Sequence, residues 1–580
     1  LFESIGRGPR VWNRAWWDDR LMGLTMGDPA TKVQLFRFID ALPMLREPAA
    51  VRRHLEEYLD EAGEGVPGLV RWPLGLLPRG PVFDRLLASA ARTAAEGMAR
   101  RFIAGSTPGE ALRTVKRLRE RRLAFTADLL GEAVIGEGEA EAYQRTCLEL
   151  LRGLTPSLNA MPEVAQIDRD DLGPIPRCNL SLKLTSLVPR FDALHSETTA
   201  EGVLERLRPI LRTARRLGAF VNVDMEQYAH KDLTYQLFRQ VMNEPEFRDW
   251  TDVGIVCQAY LREALEDLEA LRDWSQARGT PVSVRLVKGA YWDYEVTIAR
   301  QLDWPVPVFE RKWETDSNYE RCADFLLENR DVLRPALGSH NVRSLAHVLA
   351  KAESLGVPRD GFEIQMLHGM GEPIQRAMVD RGLRVRVYTP YGAMLPGMAY
   401  LVRRLLENTS NESFLKASTS GDVPVEELLR NPEEVGAMRL LNRPRTTPEI
   451  RKPLYETPFR NEPLTDFSKE ENRQAMRKAL GDVRGRLGLH APLVIGGRRI
   501  ETAERLESLD PGDSGRVVGT TSRATVEHAS QAVEAARNAS AGWAATPVEK
   551  RAEILIRAAA ILRERKLELA AWEVFECAKP

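Results

Sequence analysis

Two cations and two aromatic rings lie close together in the stretch VSVRLVKGAYWD, which covers Val282 to Asp293. Arg285 and Lys288 stand among branched apolar residues, a pattern typical of a buried strand that carries a few polar side chains to its end. A glycine ends the pattern, and Tyr291 and Trp292 follow it. Because rings stack on rings and cations pair with phosphate, the stretch predicts the seat of a planar, anionic cofactor. A buried strand with a solvated cap is the alternative that this stretch alone leaves open.

A second set of candidate residues lies in the stretch YLVRRLLEN. On a helix, Tyr400, either Arg403 or Arg404, and Glu407 share one face because they are three or four residues apart. Adjacent arginines could clamp a substrate carboxylate, since the guanidinium fork matches a carboxylate in a bidentate way. A surface helix with an Arg/Glu ladder is the alternative.

The elements that must position these residues are short apolar runs that alternate with amphipathic helical segments. Such a βα repeat predicts a parallel α/β sheet, and eight units are enough to close a (β/α)8 barrel. An open doubly wound sheet is the competing fold, but the chain lacks a GxGxxG turn after a strand and a Walker A loop. The predicted strands are LAFTADLL (123–130), LSLKLTSL (180–187), AFVNVDM (219–225), VGIVCQAY (253–260), VSVRLVKG (282–289), PALGSH (335–340), FEIQML (362–367) and LRVRVYT (383–389).

Nearly every predicted strand ends in a polar side chain. In a barrel the strand ends form the active-site face, so these side chains should converge there. Each buried polar atom without a partner would cost about 1–3 kcal/mol, which predicts a ligand large enough to touch most of the rim. The candidates are Asp128, Lys183, Asp224, Gln258, Arg285, Lys288, Tyr291, His340, Asn341, Gln365, His368 and Tyr388.

Composition excludes several classes of function. A formal net charge of −1, from 82 basic and 83 acidic residues, argues against a dedicated nucleic-acid binder or a polybasic membrane binder. No apolar run approaches the roughly 18 residues of a bilayer span, so we expect a cytoplasmic protein, with any membrane contact peripheral at the inner face. The five cysteines form no CxxC pair and the eight histidines no HExxH pattern, so neither disulfides nor a metal site is expected.

The texture of the chain predicts four segments. These are a helical arm (1–105), the barrel (106–415), a linker or arm (416–480) and a C-terminal α/β segment (481–580). Trp12, Trp16 and Trp17 should pack the arm against a neighbouring domain rather than bind a ligand. The sequence begins without Met and stops directly after a helical pattern, which suggests truncation at both ends.

The residues of the barrel resemble the proline dehydrogenase domain of the bacterial proline utilization A (PutA) family. The resemblance rests on motifs that occur in the same order over about residues 110–415: LSLKL, NVDMEQY, QAY, VRLVKGAYWD, SHN, FEIQMLHGM, VYTPYG and YLVRRLLEN. It implies a (β/α)8 barrel that holds noncovalent FAD. It also implies oxidation of L-proline to 1-pyrroline-5-carboxylate, with electrons passing to a membrane quinone, and a homo-oligomer in full-length form.

The resemblance also implies roles for single residues. Three cations, Lys183, Arg403 and Arg404, would hold the proline carboxylate, with Asp224 as a polar partner near the substrate. An aromatic wall around the pyrrolidine ring would consist of Tyr291, Tyr388 and Tyr400. The positions that match FAD contacts are Gln258, Arg285, Lys288, Trp292, His340, Asn341, Gln365, Glu407 and Phe414.

The segment after Pro492 resembles the beginning of an aldehyde dehydrogenase, with opening strands, an Asp-Pro-Gly turn and paired helices around a tryptophan. In complete members of the family this domain oxidises glutamate semialdehyde with NAD. Only about the first 90 residues of such a domain are present here, and Cys577 does not match its nucleophile. We therefore expect an incomplete domain without aldehyde dehydrogenase activity, whose apolar surface is exposed and prone to aggregation.

Two other functions stay open at this point. A flavin-dependent barrel could oxidise a related cyclic amino acid such as hydroxyproline, because the carboxylate clamp would be shared. Alternatively, an inert barrel could serve as a scaffold or regulatory fragment. In the leading hypothesis, Arg285 and Lys288 near the flavin would favour its reduced anion and so raise its reduction potential.

Overall fold

The chain forms two compact units, Leu1–Leu464 and Thr465–Pro580. The first is an α/β unit with a closed (β/α)8 barrel preceded by a helical arm, and the second is a smaller α/β unit. The computed structural model describes residues 29–63, 78, 80–130, 134–392, 426, 429–441 and 461–579.

Eight parallel strands close the barrel. Each strand pairs with its neighbours in sequence, and the first pairs with the eighth. All eight predicted strands are therefore present, and the open doubly wound sheet is excluded. They are β1 (Leu123–Leu129), β2 (Asn179–Leu182), β3 (Phe220–Val223), β4 (Val253–Gln258), β5 (Val282–Val287), β6 (Leu333–Gly338), β7 (Glu363–Leu367) and β8 (Arg384–Tyr391).

The predicted second strand was too long. β2 stops at Leu182, and Leu184–Leu187 form a 3₁₀ helix instead. β2 pairs with β1 at two positions and with β3 at four, and none of these pairs lies beyond Leu182. Without a ladder partner the chain turns, and Lys183 is left at the strand exit.

Amphipathic helices cover the outside of the barrel. The helix Ser196–Leu217 shows the pattern, because Val203, Leu207 and Leu211 recur at four-residue spacing and are fully buried. It ends at Gly218, whose φ of 71° is left-handed and favours glycine. The helices of the barrel region are Pro108–Glu120, Glu137–Asn159, Ala165–Asp168, Ser196–Leu217, Tyr228–Met242, Ala264–Arg278, Trp292–Gln301, Lys312–Glu328, Val342–Ser354, Glu372–Asp380 and Pro432–Leu441.

The described part of the arm consists of the helices Pro29–Ala41, Pro48–Glu61 and Pro81–Phe102. Phe38, Ile39, Val51 and Phe102 form an apolar cluster with Met370, which follows β7. Leu367 and Tyr388 pack against this cluster from the ends of β7 and β8. The arm therefore packs against the carboxyl-terminal face of the barrel. The predicted packing tryptophans Trp12, Trp16 and Trp17 lie outside the described residues.

The second unit has a small core of Val483, Val518, Ala571 and Phe575. Its strands are Leu489–Ala491, Leu493–Ile495, Arg498–Ile500, Arg505–Asp510 and Asp513–Ser522, and its helices are Glu470–Arg484, Val526–Ala545, Val548–Glu564 and Lys566–Cys577. Neither of its two longest helices has a buried residue. The predicted exposure of apolar surface in this segment is thus seen in the fold.

Among the described helices, none combines the length and the apolar character that crossing a bilayer requires.

Candidate active site

Asp224, directly after β3, joins side chains from three other strands. Its Oδ1 accepts hydrogen bonds from the Arg285 guanidinium at 2.6 Å and from the Ser181 hydroxyl at 2.8 Å. Its Oδ2 accepts a hydrogen bond from the Tyr388 hydroxyl at 2.8 Å. These partners belong to β5, β2 and β8, so the four side chains must meet inside the barrel. The Arg285 guanidinium also lies over the Tyr388 ring, 5.2 Å from its centroid.

Lys183 adds a cation to this cluster. Its ammonium is 2.6 Å from Asp128 Oδ1 and 3.8 Å from Asp224 Oδ2. Burial acts to lower the pKa of Lys183, but the two aspartates outweigh it and hold the pKa well above its usual value. Lys183 therefore stays charged, and with Arg285 it balances the two aspartates. A substrate anion at this point needs further cations to hold it.

At this end of the barrel, some buried polar atoms on three strands have no hydrogen-bond partner among the described residues. They are Oε1 of Gln258 on β4, Nε and one terminal nitrogen of Arg285 on β5, and Oε1 of Gln365 on β7. Because each unpartnered buried polar atom costs about 1–3 kcal/mol, several such atoms on three strands of one barrel point to a ligand. The ligand should offer hydrogen-bond donors to the two amide oxygens and acceptors to the guanidinium.

Lys288 lies apart from Arg285, although the two share a strand and its exit. Its ammonium contacts Asp316 and donates to the Ser344 hydroxyl at 3.1 Å, on two helices outside the sheet. Burial lowers the pKa of Lys288, and the attraction to Asp316 opposes this shift only in part. The sequence grouped the two cations, whereas the structure gives each its own carboxylate.

His340 and Asn341 organise the exit of β6. His340 Nε2 accepts the backbone N–H of Leu367 at 3.1 Å, which assigns that nitrogen as unprotonated. Asn341 Oδ1 accepts the backbone N–H of Arg343 at 2.9 Å and so caps the helix Val342–Ser354. His368, after β7, has its pKa lowered to about 4 by burial and is therefore neutral at pH 7.

Tyr291 and Trp292 stand where the loop after β5 becomes a helix. Trp292 is the first helical residue, is 40% exposed, and donates its indole N–H to the Phe309 carbonyl at 2.8 Å. Tyr291 is half-buried. Gly289 in this loop has a φ of 130°, and a Cβ there would lie 2.4 Å from the Tyr260 ring. Only glycine lets the loop lie this close to the ring.

Several predicted residues lie outside the described part of the chain. They are Tyr400, Arg403, Arg404, Glu407 and Phe414.

The sequence reasoning missed three residues of the site region. Ser181 contacts both Asp224 and Arg285, and it stands two residues before Lys183, so strand alternation could have placed it on the same face. Glu363 stands two residues before Gln365 on β7 and receives its amide N–H. Glu226, two residues after Asp224, is bonded to Thr185, and burial raises the pKa of its carboxyl group. For Ser181 and Glu363 the signal was a period-two strand spacing within a motif already singled out. Glu226 lies beyond the end of β3, so only its place in the motif NVDMEQY marked it.

The fold and site define the class of the protein as an enzyme-type (β/α)8 barrel, in which ionisable groups converge at the carboxyl ends of the strands. The family described as Proline dehydrogenase matches residues 111–417. The chain belongs to the proline dehydrogenase family. The Proline utilization A N-terminal domain matches residues 1–102, and the Aldehyde dehydrogenase family matches residues 499–580.

Relatives and solved structures agree with this assignment. The bifunctional protein PutA of Escherichia coli (strain K12) is 29% identical over 497 residues, which are 83% of this chain and 36% of that protein. Proline dehydrogenase 1 of Bacillus subtilis (strain 168) is 31% identical over 318 residues, 55% of this chain and 89% of that protein. The crystal structure of PutA from Bdellovibrio bacteriovorus inactivated by N-propargylglycine has a TM-score of 0.84 and 39% identity. The match covers 100% of this chain and 57% of the Bdellovibrio chain. The chain thus spans little more than a third of the bifunctional relative's length.

Proposed function

We propose that the chain oxidises L-proline to 1-pyrroline-5-carboxylate with FAD and passes the electrons to a quinone, as a step in proline catabolism to glutamate. The observation that carries the proposal is the cluster of Asp224, Lys183, Arg285 and Tyr388 beside unpartnered buried polar atoms, inside the segment matched by the proline dehydrogenase family. Family membership supplies the substrate class, and the cluster supplies groups suited to bind a zwitterion beside a cofactor.

FAD fits the donors and acceptors at the barrel mouth. Within the described part of the chain, Gln258 and Gln365 each leave an amide oxygen without a partner, and Arg285 leaves two nitrogens. A flavin ring carries both N–H and carbonyl groups, so it can pair with both kinds of atom. When bound, FAD would supply the hydride acceptor for the ring carbon that adjoins the proline nitrogen on the side away from the carboxylate. The proposed FAD contacts are Gln258, Arg285, Lys288, Trp292, His340, Asn341, Gln365, Glu407 and Phe414.

The protein's own task is to bind and orient the substrate. Lys183, together with Arg403 and Arg404, would hold the carboxylate and so fix which ring carbon faces the flavin. Tyr291, Tyr388 and Tyr400 would enclose the apolar ring. Asp224 keeps the Tyr388 hydroxyl and the Arg285 guanidinium in place, because it accepts hydrogen bonds from both. Loss of one hydride and one N–H proton from proline gives 1-pyrroline-5-carboxylate.

The visible spectrum of the purified chain tests this proposal. Flavin bands that fade on anaerobic addition of L-proline are the expected result, and an added quinone should restore them. Hydroxyproline added in the same way measures the preference between the two cyclic amino acids. The Bdellovibrio relative was solved in a form inactivated by N-propargylglycine. We expect the same compound to inactivate this chain and L-proline to protect it. A colourless chain that FAD does not reconstitute would refute the proposal.

Replacing Arg285 by methionine should lower the midpoint potential of the bound flavin, because a buried cation favours the reduced, anionic flavin. Lys288→Met is the matched control. Both cations pair with a carboxylate, but Arg285 keeps two buried nitrogens without a partner among the described residues. The Lys288 ammonium is already bonded to Asp316 and Ser344, so its removal should shift the potential less. Reductive titration with a reference dye measures both. An unchanged midpoint potential in the Arg285 variant would show that Arg285 does not lie near the flavin.

The remaining expectations stay predictions. They are the segment boundaries 1–105, 106–415, 416–480 and 481–580, a membrane quinone with peripheral contact, a cytoplasmic location, homo-oligomerisation and the lack of glutamate semialdehyde oxidation with NAD. An assay for NAD reduction with 1-pyrroline-5-carboxylate checks the last of these.

A further inference from the structure

Glu363 on β7 lies inside the barrel between two arginines and an amide. Its carboxylate accepts hydrogen bonds from Arg386 Nε at 2.9 and 3.0 Å and from Arg384 Nε at 3.2 Å. It also accepts the Gln365 amide N–H at 2.5 Å. Burial acts to raise the pKa of Glu363, but Arg386 and Arg384 outweigh it and lower the pKa to about 2. The carboxylate is therefore ionised at neutral pH.

An ionised carboxylate only accepts hydrogen bonds, so it decides which way the Gln365 amide faces. The NH₂ group of Gln365 must turn toward Glu363, so the amide oxygen points away from the carboxylate. A flipped amide would place its oxygen against the carboxylate and lose the hydrogen bond. Oε1 of Gln365 is buried and has no partner among the described residues. Because side chains two apart on a strand share a face, Gln365 lies one layer nearer the barrel mouth than Glu363.

Gln258 on β4 is oriented by the same principle. Its NH₂ group lies within 3.4 Å of the Met225 carbonyl and 3.3 Å of the Glu226 carbonyl, which only accept. Its Oε1 is likewise buried, and no described residue pairs with it. Two amides on different strands thus present oxygen rather than nitrogen, each because a nearby acceptor holds its NH₂ group.

We propose that Glu363 is a positioning residue, which holds the Gln365 amide so that its oxygen faces the bound flavin and accepts an N–H or O–H of the cofactor. This rests on the proposed flavin function. Neither the arginines nor Glu363 needs to touch the cofactor, since Glu363 acts through Gln365.

The test is the dissociation constant of FAD, measured by flavin fluorescence in E363Q, Q365L and the double variant. The glutamine in E363Q should turn its own oxygen to the arginines and its NH₂ to Gln365. Gln365 would then turn its oxygen away from the cofactor, and FAD should bind about tenfold more weakly, the loss of roughly one hydrogen bond. In the Q365L background E363Q should have no further effect on FAD binding. Equal losses in both backgrounds would overturn the proposal.

Asp168→Asn is the matched control for a lost buried charge pair. Asp168 is buried and accepts two hydrogen bonds from Arg119, at 2.7 Å each, but contacts no amide of the mouth. It should lower stability and leave FAD affinity unchanged. If E363Q does not fold, E363D is measured instead. The shorter aspartate keeps a negative charge beside the arginines but moves the carboxylate away from Gln365. Weaker FAD binding in E363D supports the proposal, and unchanged binding overturns it.

The visible absorption spectrum of bound FAD gives a second readout that a loss of stability would not move. We expect the bands of FAD to shift in E363Q and in Q365L by the same amount. The wild-type chain is measured first. A wild-type chain without FAD refutes the proposed function, whereas wild-type binding with no coupling between the two positions refutes only the role of Glu363.

Discussion

Two helices, of 22 and 17 residues, show how differently the two units bury their apolar residues. Ser196–Leu217 on the barrel buries ten of its residues, whereas Val548–Glu564 in the second unit buries none. Leu555 and Leu562 are 72% and 57% exposed, while Leu207 and Leu211 are fully buried. Apolar spacing is therefore enough to predict a helix, but only a packing partner turns its apolar residues into stability.

A leucine-to-alanine substitution in each helix should give the largest difference in stability between the two units. Leu207→Ala removes a buried side chain and should lower stability by about 2–5 kcal/mol. Leu555→Ala removes an exposed one and should change stability by less than about 0.5 kcal/mol. Hydrogen exchange by mass spectrometry reads each unit separately. A large effect of Leu555→Ala would mean that this side chain has a partner in solution.

Two carboxylates with the same low pKa, one in each unit, extend the comparison to ion pairs. The pKa values of Glu363 in the barrel and Glu568 in the second unit are both about 2. Glu568 owes its low pKa to hydrogen bonds from Arg565 and Arg486 at the surface. Because the folded pKa is below the usual 4.5, each contribution to stability is present above pH 4.5 and is lost as the pH falls toward 2.

Salt should separate these two contributions. For Glu363 the loss on acidification is on the order of 3 kcal/mol and should persist in 0.5 M NaCl, because the pair is shielded from solvent. The Glu568 contribution should weaken strongly in the same salt. Acid unfolding of E363Q and E568Q against wild type at both salt concentrations measures this. Equal salt sensitivity would show that water reaches Glu363.

The smallest expected effect concerns His347, between the barrel helices Lys312–Glu328 and Val342–Ser354. Its Nε2 lies 2.8 Å from Asp324 and its Nδ1 lies 3.2 Å from Glu320. The hydrogen bond to Asp324 and the charge of Glu320 raise the pKa of His347 above its usual 6.5, against the effect of burial. The stabilisation is complete below pH 6.5 and is lost as the pH rises through the raised pKa.

His347→Gln should therefore cost at most about 1 kcal/mol at pH 6 and less at pH 8.5. Urea unfolding at the two pH values measures the difference. His195→Gln is the control, since His195 is exposed although it also lies beside an aspartate, Asp192 at 3.1 Å. The same pH dependence in both variants would exclude a specific role for His347.

The fold was predictable because its signals are local. Each strand is a short apolar run and each helix has its own periodicity, so the βα order could be read without knowing any contact. The prediction that overran its strand most, 180–187, failed because Leu184 and Leu187 are apolar in a 3₁₀ helix as they would be in a strand. The spacing of apolar residues does not show where a strand stops pairing with its neighbours in the sheet.

Part of the candidate site was predictable as residues that lie together, but their contacts were not predictable. Strand ends gave Lys183, Asp224, Arg285 and Tyr388, and the structure joins these four. The sequence could not show that Asp224 bonds Tyr388, because 164 residues separate them. Nor could it show that Lys288 forms an ion pair with Asp316 while Arg285 pairs with Asp224. Contacts of this kind depend on barrel closure and on helix packing, which no local pattern records.

Gly289 has a consequence for the entropy of binding. The loop that carries Tyr291 rests on the Tyr260 ring, and the backbone N–H of Tyr260 donates to the Lys288 carbonyl at 2.7 Å. A loop supported in this way is ordered when the barrel folds. The conformational entropy of roughly 1–2 kcal/mol per residue is then lost during folding and does not weaken ligand binding. In the proposed substrate site, Tyr291 would thus stand on a loop that is already ordered before the ligand binds.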